Sequence, residues 1–319
     1  MDTATDFLFG ESTGTLRQAA SEHDFAEAFH YAQKAVIVRG TLGPLNVFYR
    51  DRKAEACNRI CRGLTQNYVD KAFQALESKH VDDKQDQPEP RRQKHIFSHE
   101  LAARTSDRKR VLDELMNVLL AGRDTTASLL SNLFFMLAKD TEIWTKLRSE
   151  VATLEGQVPS YEQINTLKYV QCCINESLRL HPVVPRNERV AVRDTVLPLG
   201  GGADGASPVF VTKGTLVCYN VYALHRRKDF YGSDADDFRP ERWEDGKLQQ
   251  RLRWAYLPFN GGPRICLGQR YALTEVAYVL VRMVQEFRAL RSEDPRPWEE
   301  LLSLTLRPRN GVKVSLTPA

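Results

Sequence analysis

FNGGPRICLG, residues 259–268, is the stretch from which the rest of the chain can be read. Gly261, Gly262 and Pro263 make a loop that tolerates unusual backbone angles and lets a flat ligand approach the main chain closely. Cys266 stands where a final helix, spanning about Leu267 to Phe287, is expected to begin. Unpaired N–H groups and the dipole at that end favour an anion, so the thiolate form of Cys266 is stabilised there. Arg264 presents a planar fork suited to a carboxylate, and Phe259 is placed to cover the sulfur and keep water away. A lone cysteine beside a Gly-rich turn would read as an ordinary buried thiol. Ten residues in this pattern do not.

Upstream, residues 225–264 hold few regular signals but many aromatic residues, prolines and arginines, among them FRPERW at 238–243. Residues 183–222 carry β-favouring runs and a Gly-rich turn at 200–205, a pattern of short strands and hairpins. Helices are expected at about 141–154 and 162–180, the second stopped by Pro182. In its NESLRLHP, Glu176 and Arg179 lie on one helical face; as an exposed pair they would contribute only a few tenths of a kcal/mol. The clearest helix runs from Arg110 to Lys139, where Leu112, Leu115, Leu119, Leu130, Leu133 and Leu137 follow the helical period. Its middle reads AGRDTT (121–126). A glycine there costs about 1 kcal/mol relative to alanine, and Asp124 and Thr125 in apolar surroundings need partners. A kinked helix with a solvated aspartate would also account for these residues.

Residues 15–75 read mostly as helix, and 77–96 as a polar, proline-containing linker. With 42% hydrophobic and 27% charged residues, the chain has the composition of a globular protein, and a net charge of +4 does not suggest a nucleic-acid partner. Six cysteines in 319 residues do not form a disulfide scaffold; Cys57, Cys61, Cys172, Cys173 and Cys218 read as ordinary reduced thiols. No apolar run approaches the roughly 20 residues that span a bilayer. The N-terminus, MDTATDFLFGESTGTL, has neither the basic nor the apolar region of a signal peptide, so the chain is expected to be cytoplasmic or peripheral. The architecture expected is mainly α with a small β-sheet (α+β).

Phe259, Gly262, Arg264, Cys266 and Gly268 resemble the whole haem-binding signature of cytochrome P450, F-x-x-G-x-R-x-C-x-G. The resemblance implies haem (heme b, iron protoporphyrin IX) held by Cys266 as axial thiolate, a type of ligand that favours O–O bond cleavage. It also implies that Asp124 and Thr125 relay protons during oxygen activation, with small residues opening a groove for O2. Glu176, Arg179 and Arg242 would form a buried ionic network bracing the cysteine loop. Arg189 would meet a haem propionate, with Arg186 a second candidate. NVLLAGRDTTASLLS, VYALHRRKDFYG and FNGGPRICLGQRYALTE are similar to the fungal clade that hydroxylates n-alkanes and fatty acids.

By that resemblance residues 1–319 form one catalytic domain, incomplete at its N-terminus: 15–76 substrate-access helices, 77–96 a linker, 97–319 the haem-binding core. The membrane anchor, N-terminal sheet and early helices of family chains have no counterpart, so an N-terminally truncated form is expected. The family location is the cytosolic face of the endoplasmic reticulum membrane. The activity implied is insertion of one oxygen atom of O2 into a C–H bond of an apolar small molecule, with electrons from NADPH through NADPH-cytochrome P450 reductase. The alternatives are a haem-thiolate isomerase or peroxide-using enzyme, against which Asp124 and Thr125 argue, an inactive haem-protein fragment, and a different oxidation of a secondary metabolite.

Overall fold

The structure, a computed structural model, describes residues 1–15, 25–82 and 95–319. Residues 16–24 of the expected N-terminal helical stretch and 83–94 of the expected linker lie outside the described residues. The chain divides into two compact units, Met1–Asp124 and Thr125–Ala319.

The first unit is helical. It contains α1 (Asp2–Phe9), α2 (Phe25–Leu42), a 3-10 turn at Gly43–Phe48, α3 (Arg52–Asp82), α4 (Phe97–Ala102) and the first part of α5 (Arg108–Leu137). Helix α3 runs through Asp82, so the first six residues of the expected linker are helical, continuing the periodicity that precedes them. Leu8, Phe9, Phe29, Cys61, Val69, Phe73, Leu112, Leu115 and Leu119 form its core. Each fully buried leucine there contributes about 1.5–3 kcal/mol of apolar burial.

The second unit takes the rest of α5, whose Leu129, Leu133 and Leu137 enter a separate core. There follow α6 (Thr141–Val151), a 3-10 turn, α7 (Tyr161–Thr166) and α8 (Lys168–Leu180). The segment expected as one helix over 162–180 is therefore two. Leu167 takes extended angles (φ −75°, ψ 92°), which frees the first N–H groups of α8 for outside partners. The carboxylate of Glu150 on α6 accepts them, from Tyr169 at 2.8 Å and Val170 at 3.0 Å. A negative group at a helix N-terminus is stabilising in its own right.

Strands β1 (Arg186–Val190), β2 (Thr195–Gly201), β3 (Ser207–Val211) and β4 (Leu216–Asn220) come next. β2 and β3 form a hairpin inside the β1–β4 pair, and both pairs are antiparallel. Short helices α9 (Val221–Leu224), α10 (Lys228–Tyr231) and α11 (Lys247–Leu252) precede α12 (Gln269–Glu286), and strands β5 (Phe287–Ser292), β6 (Glu300–Leu302), β7 (Leu306–Pro308) and β8 (Val314–Pro318) end the chain. β5 pairs with β8, and β6 with β7. The small sheet expected is thus four two-stranded antiparallel pairs among the described residues. Helices α6, α8 and α12 bury Leu147, Ile174, Leu178, Val276 and Leu280 against one another. This packing fixes α8 and α12, which carry the two halves of the site.

Candidate functional site

Glu176 and Arg179 project from α8 into the interior, with side chains fully excluded from solvent. The exposed-pair account of these residues is excluded by that burial. Arg179 donates Nε to Oε2 and a terminal nitrogen to Oε1 of Glu176, both at 2.8 Å. Arg242, from the 3-10 turn Pro240–Trp243, adds Nε to Oε1 at 2.8 Å. The Arg239 backbone N–H and the Trp243 indole complete the shell at 2.9 and 2.8 Å, so one carboxylate accepts five bonds. Both arginines spend their remaining donors on carbonyls: Arg179 on His225, Ala235 and Asp237, and Arg242 on Tyr231 and Asp234. Every charge in this cluster has a partner, the condition under which a buried ionic group is tolerated.

Three side chains lead from this brace toward the cysteine loop, and the sequence reading singled out none of them. The hydroxyl of Tyr231 donates to the Ala255 carbonyl at 2.9 Å, and that of Tyr256 to the Asn175 carbonyl at 3.1 Å. His225, wholly buried, accepts the Leu257 N–H on Nε2 at 2.8 Å and places Nδ1 3.2 Å from the Arg179 carbonyl. Burial pushes its pKa down to about 4. The only sequence signal was its position in VYALHRRKDFYG, where an imidazole between apolar and basic residues has no distinguishing pattern.

The loop itself is open. Phe259 packs on the second core, while residues 262–268 are exposed. Gly262 has φ 68°, where a side chain would be strained, and a Cβ on Gly261 would run into the Trp254 ring. The Cys266 N–H donates to the Phe259 carbonyl at 2.9 Å, closing the loop into a hairpin-like turn. Cys266 does not begin the helix: α12 starts at Gln269 with Gly268 as its N-cap. The sulfur lies 4.0 Å from the place a Gly268 Cβ would take, an ordinary contact distance. Asn260, also in the left-handed region at φ 62°, anchors the loop to the β1–β4 pair. Its Oδ1 accepts Tyr219 Oη at 2.7 Å and Asn187 Nδ2 at 3.2 Å. Asn187 and Tyr219 face each other in register.

Arg189 is exposed on β1, with its guanidinium 5.7 Å from the centre of the Tyr219 ring and donating to Asn187 Oδ1 at 3.2 Å. It thus shares two neighbours with Asn260 of the loop. Arg186 is instead engaged by Glu188 and Cys218. In α5, AGRDTT stays α-helical throughout, and among the described residues nothing lies within 4 Å of the position a Gly122 Cβ would take. Asp124 is ion-paired with Arg123 at 2.9 Å, not solvated alone, and the Thr126 hydroxyl is buried without a partner among the described residues. Asp124 closes the first unit and Thr125 opens the second.

Among the described residues no group of three or more His, Cys, Asp or Glu side chains could hold a metal ion. The loop offers one thiol, an Arg264 guanidinium with no carboxylate partner among the described residues, and the exposed apolar side chains of Trp254, Ile265 and Leu267. One sulfur holds an iron only when the other ligands arrive with the metal. A flat macrocycle with apolar faces and carboxylate arms meets that requirement, and the residues of the loop fit it. No helix among the described residues is long and apolar enough to cross a membrane.

The Cytochrome P450 family model matches residues 1–315. The chain is 51% identical to the cytochrome P450 monooxygenase himC of Aspergillus japonicus, over 100% of this chain and 57% of that protein. It is 52% identical to the cytochrome P450 monooxygenase fsdH of Fusarium heterosporum, over 99% of this chain and 56% of that protein. With cytochrome P450 52A3-A of Candida maltosa it shares 43% identity over 99% of this chain and 62% of the relative. It therefore spans somewhat more than half the length of these relatives. On the family match and these identities, the chain belongs to the cytochrome P450 family.

Proposed function

We propose that this chain is the haem-binding part of a monooxygenase that inserts one oxygen atom of O2 into a C–H bond of an apolar small molecule, with NADPH as the electron source through a reductase partner. The observation that carries the reading is the Cys266 loop: a solvent-facing thiol on a turn that is linked through Tyr231, Tyr256 and His225 to a fully satisfied ionic brace. Haem bound there supplies the oxidising chemistry, and the protein supplies ligand, orientation and protons. Cys266 would hold the haem iron through its sulfur. Arg264 and Arg189 neutralise carboxylate arms, and Phe259 shields the sulfur side. Asp124 and Thr125 would hold and pass protons. Glu176, Arg179 and Arg242 keep the loop in place. Residues 15–76 serve substrate access and 97–319 form the haem-binding core. The cytosolic face of the endoplasmic reticulum membrane is the working location.

For the substrate we propose a long aliphatic chain hydroxylated at or near its end, on the similarity to the fungal alkane and fatty-acid hydroxylase clade. A different oxidation, of a secondary metabolite, is the second reading. Haem reconstitution of the chain followed by a reduced-CO difference spectrum tests the core of the proposal. Wild type is expected to give the thiolate-type band and Cys266→Ala to lose it. Identical spectra from the two would assign the iron to another ligand and remove the proposed activity.

A further inference from the structure

We propose that His225 is a positioning residue whose neutral imidazole clamps the Leu257 backbone to the Arg179 backbone and thereby sets where the cysteine loop leaves the ionic brace. A backbone N–H can only donate and a carbonyl can only accept. The Leu257 N–H at 2.8 Å therefore requires a lone pair on Nε2, which leaves the proton on Nδ1, facing the Arg179 carbonyl at 3.2 Å. Arg179 returns the contact, donating a terminal nitrogen to the His225 carbonyl at 3.0 Å. His225 is thus held at backbone and ring by the same residue that pairs with Glu176. Two residues beyond Leu257 lies Phe259, whose carbonyl accepts the Cys266 N–H at 2.9 Å. One of the paths from brace to sulfur thus passes through this imidazole.

This clamp tolerates only one protonation state. A proton on Nε2 would set N–H against N–H at hydrogen-bond distance, in a site with no exposure to water. The groups around the ring offer an imidazolium no counter-charge. Arg179 and the adjacent Arg226 are cationic, and Tyr231 and Tyr256 present rings at 6.4 and 5.1 Å. Glu176, behind Arg179, is already taken by five donors. Burial lowers the pKa from 6.5 to about 4. Because the closed form excludes the proton and an opened form binds it near 6.5, the clamp is at full strength above that value. It weakens as the pH falls toward 4. The consequence for Cys266 rests on the haem-thiolate reading; the clamp itself does not.

Hydrogen exchange of the Leu257 amide, expressed as a protection factor in the full chain, tests the clamp without haem. Between pH 7 and pH 5 the wild type should lose on the order of tenfold protection. His225→Gln, whose Oε1 accepts a hydrogen bond but does not titrate, should keep its protection across that interval. His225→Leu should exchange faster at both pH values. Equal acid losses in wild type and H225Q, or a Leu257 amide as protected in H225L as in wild type, would overturn the proposal. The reduced-CO spectrum of haem-loaded protein gives a separate arm. If the thiolate-type fraction is lost at lower pH in H225Q than in wild type, the clamp governs the sulfur; coincident midpoints would remove that link. A protected Leu257 with no thiolate-type band at pH 7 would instead sink the haem-thiolate reading and leave the clamp standing.

Discussion

The ionic brace and the cysteine loop belong to the same unit, yet they are built on opposite terms. In the brace, one carboxylate accepts five hydrogen bonds and both arginines are fully engaged with water excluded. In the loop, Arg264 has no carboxylate partner among the described residues, Leu267 is 97% exposed and Cys266 is open to solvent. A region satisfied by its own chain contributes to stability whether or not a ligand is present. A region of uncommitted donors and bare apolar surface contributes chiefly to binding. The difference separates the residues expected to unfold the protein when changed from those expected to empty its site.

The largest effect is expected at the centre of the brace. Glu176→Ala leaves the buried Arg179 without a carboxylate and Arg242 with only Asp234, 3.4 Å away, and should cost about 3–5 kcal/mol in urea unfolding; a loss under 1 kcal/mol would show that water or neighbouring carboxylates can take over, and the contrast would fail. Asn260 stands between the two regions. Asn260→Ala removes the acceptor for Tyr219 and Asn187 and should cost about 1–2 kcal/mol, with a moderate drop in haem retention. The smallest effect on stability belongs to the loop. Arg264→Ala should change unfolding by no more than about 0.5 kcal/mol while weakening haem retention, measured by competition for haem with a second apoprotein. Unchanged retention would assign the carboxylate arms to another cation, Arg189 first. A loss of several kcal/mol would move Arg264 into the brace.

Much of this organisation was legible in the residues. The leucine spacing announced α5, and the β-favouring run from 183 to 222 announced its strands. The spacing of Glu176 and Arg179 placed them on one face, because three residues along a helix nearly complete a turn. Their burial was not in that spacing. It follows from α8 packing against α12 and α6, and an exposed pair with the same separation would look identical in sequence. His225, Asn260 and Tyr219 were missed for a related reason. Each acts through contacts to residues far along the chain, and no local periodicity records such contacts.

From its sequence alone, this protein has a thiol in a Gly-rich turn with an arginine two residues before it, a long amphipathic helix interrupted by small and polar residues, and mixed helix and strand. Those properties depend on neighbours within a turn or two, where spacing alone sets which side chains meet. Only the tertiary structure decided that the 162–180 segment breaks at Leu167, where Glu150 of another helix caps the new N-terminus. Only it decided that the acid–base state of His225 is imposed by two backbone groups from distant segments. Both are set by which buried polar groups the folded chain brings within hydrogen-bond reach, and in the dry interior an unmet donor or acceptor costs too much to leave.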